Sequence, residues 1–173
     1  MKVIQKPNEG EYAPYAKIYV DLVPDDGLVL NHLQDNLKTV QTLVLSLPSE
    51  KLASRWAEGE WTIKEILVHI MDTERIFCYR ALRFARNDDT ELSGFEQDDY
   101  VPYTQANKRN IAEILEEYAA VRQATITFFN SLEEEALTRT GIASGQRVSV
   151  RALASLVAGH ERHHLNSIKE NYL

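Results

Sequence analysis

The chain is poor in cysteine, in glycine and in positive charge, and each shortage excludes something. One cysteine, Cys78, stands among 173 residues. A single thiol forbids an internal disulfide and any CxxC motif, and it fits a reducing compartment. Seven glycines never gather into a phosphate-binding loop, and no serine sits in a nucleophile elbow. Lysine and arginine number 19 against 26 aspartates and glutamates, a formal charge of −7. That balance argues against binding nucleic acid or an anionic membrane by bulk electrostatics, while leaving room for a local basic patch. No apolar run approaches the ~20 residues that cross a bilayer. The N-terminus lacks a basic-then-apolar signal pattern. The expectation is a cytoplasmic protein whose partner is a small molecule, with no nucleic acid and no membrane.

What is present is an ordinary globular mix, 44% hydrophobic and 26% charged. The length suits one domain, 1–173, with a core of its own. Residues 1–24 read as an extended N-terminal arm, because Pro7, Pro14 and Pro24 forbid a long helix. Tyr12, Tyr15 and Tyr19 imply that the arm packs on something. It either lies across the surface or exchanges between subunits.

Apolar periodicity predicts four helices. From Asp26 to Leu47, Leu30, Leu33, Leu37, Val40, Val44 and Leu47 recur at steps of three and four, and Pro48 ends the run. Thr62-Ile63-Lys64-Glu65 is a capping box that opens a second helix to about Arg86. Its stripe is Ile63, Ile66, Ile70, Phe77, Ala81 and Phe84. Trp56, Gly59 and Trp61 anchor the connector before it. A third helix spans about Gln105 to Leu132, with Thr104 as its cap. Ser149 is the predicted cap of the fourth, and a short hairpin turning at Ser144-Gly145 precedes it. The pattern is all-α: an up-and-down type four-helix bundle with a long loop at 87–104. That loop either crosses over along the bundle or walls a pocket.

Three of the five histidines fall between Gly159 and Leu165. The stripe of the fourth helix runs Val150, Leu153, Val157, His160, His164 and then Ser167 or Ile168. His160 and His164 thus occupy seam positions that suit hydrophobes, and at a spacing of four they point the same way. An unpartnered buried imidazole costs roughly 1–3 kcal/mol. Two on one seam share a reason to be there, and a bound cation is the simplest. His69, helix-borne beside an apolar stripe, is the best third ligand, since bundles build metal sites from facing helices. His163 turns away by about 100°. Three imidazoles leave open positions on the metal, the pattern of a catalytic site, where a metal-bound water or thiolate serves as nucleophile. Asp72, Glu161 and Asn166 are candidates to orient an imidazole N–H. The competing reading is a histidine cluster satisfied by carboxylates and backbone.

Other polar residues carry weaker signals. His32 beside the first stripe reads as a surface histidine, and Cys78 as a small core filler. Arg80, Arg83 and Arg86 either receive an anion or pair with Glu91, Asp98 or Asp99.

Glu60 through Phe77, continued by Tyr79 to Arg86, resembles the second helix of DinB-like proteins, and Val150–Leu153 with Gly159–Asn166 is similar to their last helix. The loop Leu92–Tyr100 is also similar. The likeness is closest to the bacillithiol S-transferase-like branch of metal-dependent hydrolases. It implies a four-helix bundle, a three-histidine site for a divalent metal such as zinc or nickel, and frequent homodimers. His69, His160 and His164 match the family's ligand positions. The implied activity is transfer of a low-molecular-weight thiol to an electrophile, or hydrolysis of a small molecule. The alternative is a non-catalytic metal or small-ligand binding bundle acting in stress response. Where many relatives have a glutamine three residues after the second histidine of the pair, this chain has Ser167.

Overall fold

The computed structural model describes residues 1–173. Four long helices carry the fold: α1 (Val29–Leu45), α2 (Ile63–Ala85), α3 (Ile111–Ser131) and α4 (Val150–Asn171). A hairpin of β1 (Thr140–Ala143) and β2 (Gln146–Ser149) precedes α4. Its register pairs Ala143 with Gln146, and Ser144 and Gly145 turn at φ 54° and 70°. Two positive φ values in a row give the turn whose twist matches a hairpin. Leu92 from the long loop lies beside Ala143 and extends the hairpin by one bridge.

The helix ends follow local chemistry. Thr62 Oγ1 accepts from the Glu65 N–H at 3.1 Å, and Glu65 Oε2 accepts from the Thr62 N–H at 2.8 Å, which closes the capping box. Ser149 Oγ accepts from the Ala152 N–H at 3.1 Å. The third helix departs from the expectation of a start at Gln105 under a Thr104 cap. Gln105 takes a left-handed φ of 51°, Thr104 serves a 3-10 turn at Ala106–Lys108, and Asn110 caps α3 by accepting from the Ala112 N–H at 2.9 Å.

The core divides into two clusters, of 25 and 16 buried residues. The first joins the start of α1 (Leu30, Leu33), the ends of α2 (Phe84) and α3 (Phe129), and the start of α4 (Leu153, Val157). The second joins the end of α1 (Val40, Val44), the starts of α2 (Leu67) and α3 (Ile114), and the end of α4 (Ile168). So α1 and α4 run one way and α2 and α3 the other. The chain crosses over along the bundle between α2 and α3, and residues 86–110 make that journey with short helical turns at Gln97–Tyr100 and Val101–Tyr103. Each of α3 and α4 packs against both α1 and α2.

The N-terminal stretch is not extended throughout. Pro14–Ala16 and Lys17–Val20 form helical turns that lie against α4. Ile4, Tyr12, Ala16, Val20 and Val23 are buried there. This cover explains why α4 is buried on all sides from Ala152 to Glu161. Glu11 fastens it, accepting from Ser149 Oγ and Arg151 Nε at 2.7 Å each. No helix is long and apolar enough to cross a membrane.

Candidate metal centre

Between the two apolar clusters lies a polar layer, and the three histidines occupy one side of it. His69 rises from the second turn of α2, while His160 and His164 come from one face of α4. His160 Nε2 stands 3.0 Å from His69 Nε2 and 3.1 Å from His164 Nε2. The three ligand nitrogens all lie within 4.8 Å of one another, an arrangement that can hold a metal ion. Nitrogens bound at 2.0–2.1 Å to a tetrahedral metal stand about 3.3 Å apart, so small side-chain rotations suffice. A neutral imidazole nitrogen has either one proton or one lone pair. His160 Nε2 therefore cannot satisfy both neighbours by hydrogen bonding, whereas one cation satisfies all three.

Aromatic rings fix these imidazoles. Trp61 packs on His69 with centroids 4.8 Å apart and stacks on His164 at 6.4 Å. Tyr19 meets His160 edge-on at 5.5 Å, and Phe77 meets it at 6.2 Å. Burial pushes the His69 imidazole down to about 4. Burial, with the neighbouring His69 and His163, pushes His164 down to about 3. His160 is held well below the ordinary value by burial first and then by the other three histidines. All three are neutral at pH 7, the state that binds metal.

The helix that carries His69 also holds an unpartnered polar atom. Thr73 is buried, and its Oγ1 is the one fully buried side-chain polar atom without a hydrogen-bond partner. It lies one turn after His69 on α2. An orphaned buried hydroxyl costs about 1–3 kcal/mol. A cleft of about 450 Å³ reaches the site at the half-buried His164. Trp56, Trp61, Tyr172, Glu60 and Asp98 line it, with His163 and Ser167.

Comparison with known proteins gives the family and the fold. The DinB superfamily matches residues 32–168. The chain belongs to the DinB superfamily. A protein of Oceanobacillus iheyensis named "Putative metal-dependent hydrolase OB0413" is 26% identical over 155 residues, covering 83% of this chain and 87% of its own. YfiT from Bacillus subtilis, described as a probable metal-dependent hydrolase with an unusual four-helix bundle topology, superposes with a TM-score of 0.73. At 14% identity, over 95% of this chain and 90% of YfiT, that likeness concerns the fold.

The other side of the polar layer in this DinB-superfamily chain is an ionic network that periodicity does not reveal. Arg122 of α3 is fully buried. It donates from Nε and Nη2 to Glu74 at 3.0 and 2.9 Å, from Nη2 to Glu161 at 2.9 Å, and from Nη1 to the Leu33 carbonyl at 2.6 Å. Glu161 also accepts from the Tyr118 hydroxyl and from Asn36 Nδ2, the latter at 3.0 Å. Four helices meet in this one knot. Glu161 follows His160 by one residue, hence by about 100°. It turns to α3 and not to an imidazole.

Other polar expectations are corrected similarly. Asp72 pairs with Arg75 at 3.3 Å, and Asn166 is exposed; neither orients a ring. Arg80 donates to the Ser93 carbonyl and Ser144 Oγ, and Arg83 pairs with Asp88. Glu91, Asp98 and Asp99 are not their partners, because the loop presents its backbone and hairpin contact to them first. Within the loop, Asp98 reaches the cleft. Cys78 Sγ lies 3.2 Å from Thr125 Oγ1, and burial pushes its thiol up to about 12, which disables it as a nucleophile. His32 pairs with Asp26 at 2.9 Å near the surface.

Proposed function

We propose that the chain is a metal-dependent enzyme acting on a small molecule, either a thiol S-transferase or a hydrolase, with His69, His160 and His164 holding one zinc or nickel ion. The observation that carries this reading is the convergence of three neutral Nε2 atoms beside a cleft. When bound, such an ion acts as a Lewis acid and brings a water or thiol to its anionic form near neutral pH.

The chain's own residues supply the rest. The cleft has the volume of a small-molecule site. Trp56, Trp61 and Tyr172 offer flat apolar walls. Glu60 and Asp98 bring two carboxylates, and no lysine or arginine lines the cleft. That balance favours neutral or cationic molecules over anionic ones. A cytoplasmic setting and a homodimer belong to the same reading. The exposed apolar groove of Tyr79, Leu82, Val121 and Phe128 between α2 and α3 is the face that favours pairing, and light scattering at the mass of one 19.8 kDa chain removes the dimer.

Metal analysis after loading with zinc or nickel and dialysis tests the site. One ion per chain is expected, and His160→Ala should lose it. Cysteamine, 2-mercaptoethanol and mercaptoacetate, each offered with a generic electrophile and each corrected for its own uncatalysed rate, then test turnover across thiols of different charge. Metal-dependent consumption of the first two over the third supports a thiol transferase, and metal-dependent ester or amide cleavage a hydrolase. Saturable binding without turnover supports the stress-response binding bundle instead. Protein that retains no metal, or a His160→Ala variant that retains it fully, refutes the site.

A further inference from the structure

Five arginines and glutamates are buried: Glu65, Glu74, Arg80, Arg122 and Glu161. Four of them have a partner of opposite sign. Arg122 meets Glu74 and Glu161, and Glu65 meets Arg55 at 3.1 Å. Arg80, only 7% exposed, has none; its hydrogen bonds go to a carbonyl and a hydroxyl. Burying a charge is costly unless a counter-charge accompanies it. Burial holds the Arg80 guanidinium below its ordinary value, opposed by Tyr15 and by no carboxylate.

The surroundings fix this guanidinium without neutralising it. Nη2 donates to the Ser93 carbonyl at 3.1 Å and to Ser144 Oγ at 2.9 Å. The Phe95 ring centroid lies 5.8 Å from its central carbon. The crossover loop and the hairpin turn thus hold one edge of the group. Nε and Nη1 make no hydrogen bond. The one sealed side-chain polar atom without a partner is Thr73 Oγ1, so Nε and Nη1 are not sealed. They open on the cavity that Arg80 lines.

That cavity lies among the N-terminal turns, the hairpin, α2 and α4, and it shares no residue with the cleft beside the histidines. Its volume is about 60 Å³, room for about four to six water-sized groups at roughly 10–15 Å³ each. Gln146 and Arg147 also line it, and no aspartate or glutamate does. In a chain of formal charge −7 this is a local site for an anion. The walls choose among anions. Phe77, Leu153 and Leu156 are apolar, and Arg147 is exposed and already donates to Thr140 Oγ1 at 3.0 Å. A phosphate would press uncompensated oxygens against those walls. A carboxylate brings one charge to Arg80 and a hydrocarbon chain to the walls.

We propose that this cavity is a binding site for a small monocarboxylate, its charge met by Arg80 and its short apolar chain by Phe77, Leu153 and Leu156. The site is separate from the metal reading and does not depend on it.

Propionate is the probe, and propionamide is its uncharged counterpart. The full chain is stripped of metal with a chelator, so that no ion at the histidines can take the carboxylate. It is titrated at constant ionic strength, and the Arg80 Nε–H resonance, assigned through bonds, is followed by NMR. A ligand of so few atoms binds in the millimolar range. Propionate should move the Arg80 resonance saturably and bind about tenfold or more tightly than propionamide, because a hydrogen bond between charged groups is stronger than one to a neutral amide. Arg80→Met, which keeps the bulk and removes the charge, should weaken propionate about tenfold or more. An Arg80 resonance unmoved at concentrations far above millimolar, equal affinity for propionate and propionamide, or an Arg80→Met chain that binds as wild type overturns the proposal. Inorganic phosphate binding as tightly as propionate overturns the carboxylate assignment. If Arg80→Met does not fold, the resonance and the propionate-to-propionamide ratio in the wild-type chain still decide.

Discussion

Gly159→Ala sets two effects of opposite sign against each other. Glycine inside a helix is less favourable than alanine by about 0.8–1.0 kcal/mol, so propensity alone makes the variant more stable. The packing says otherwise. A Cβ at Gly159 would stand 2.0 Å from the Tyr19 carbonyl oxygen, 2.6 Å from its carbon and 3.1 Å from its Cα. These are backbone atoms, so no rotamer change relieves the clash. The turn Lys17–Val20 must retreat by about 1 Å or more to reach ordinary contact. That turn is held by Ala16 and Val20, which are 4% and 1% exposed. Overpacking of this kind costs about 1–3 kcal/mol, and rigid backbone places it toward the upper end. The net expectation is destabilisation by about 1–2 kcal/mol. In a chain of this length that lowers Tm by about 2–8 °C. Thermal unfolding gives the magnitude. Limited proteolysis should show earlier cleavage within residues 1–24, since it is the N-terminal turn that gives way. The displaced Tyr19 also withdraws from His160 and His163, whose rings it meets at 5.5 and 5.3 Å. A Gly159→Ala protein more stable than wild type, with its N-terminal stretch equally protected, would refute the packing argument.

Arg122→Met should cost about 3–5 kcal/mol in urea unfolding, because it leaves two carboxylates buried without their cation; a loss below about 1 kcal/mol means the network carries little. Adding Glu74→Gln and Glu161→Gln to that variant should recover part of the loss, and strict additivity would contradict a coupled knot. Burial alone would raise the Glu11 carboxyl, but hydrogen bonds from Arg151, Ser149 and Asn8 hold it down to about 2. Its folded value is lowered from 4.5, so the stability it contributes is present above that pH and is lost as pH falls toward about 2. Melting temperatures across that window should fall less steeply in Glu11→Gln, and parallel curves refute the clamp.

The parts of this molecule that sequence reveals are those governed by local chemistry. Helix α2 is legible because Thr62 and Glu65 cap it without help from any other element. The hairpin is legible because Ser144-Gly145 can turn only in a few ways. His160 and His164 are legible because a polar residue at a seam position breaks a strong period, and His69 follows from the search for a helix-borne partner. What stays hidden depends on distant neighbours. Arg122 and Glu74 look like solvated charges, since arginine and glutamate are rarely buried, and Glu161 looks like a partner for an imidazole and not for an arginine. The hint was Arg122 placed between Tyr118 and Thr125, within an otherwise inward-facing stretch of α3. The start of α3 was displaced because Gln105 adopts a left-handed conformation that the crossover imposes and its own side chain does not favour. The helical turn at Lys17–Val20 is four residues long and stable only against α4.

The account stands on one point in space, the meeting place of His69, His160 and His164. Anomalous diffraction from crystals of the zinc- or nickel-loaded protein, recorded at the edge of that metal, measures it directly. The expected result is a single strong peak about 2.0–2.1 Å from all three Nε2 atoms. Imidazoles hydrogen-bonded to one another with no peak between them, or a metal bound only elsewhere, would contradict it.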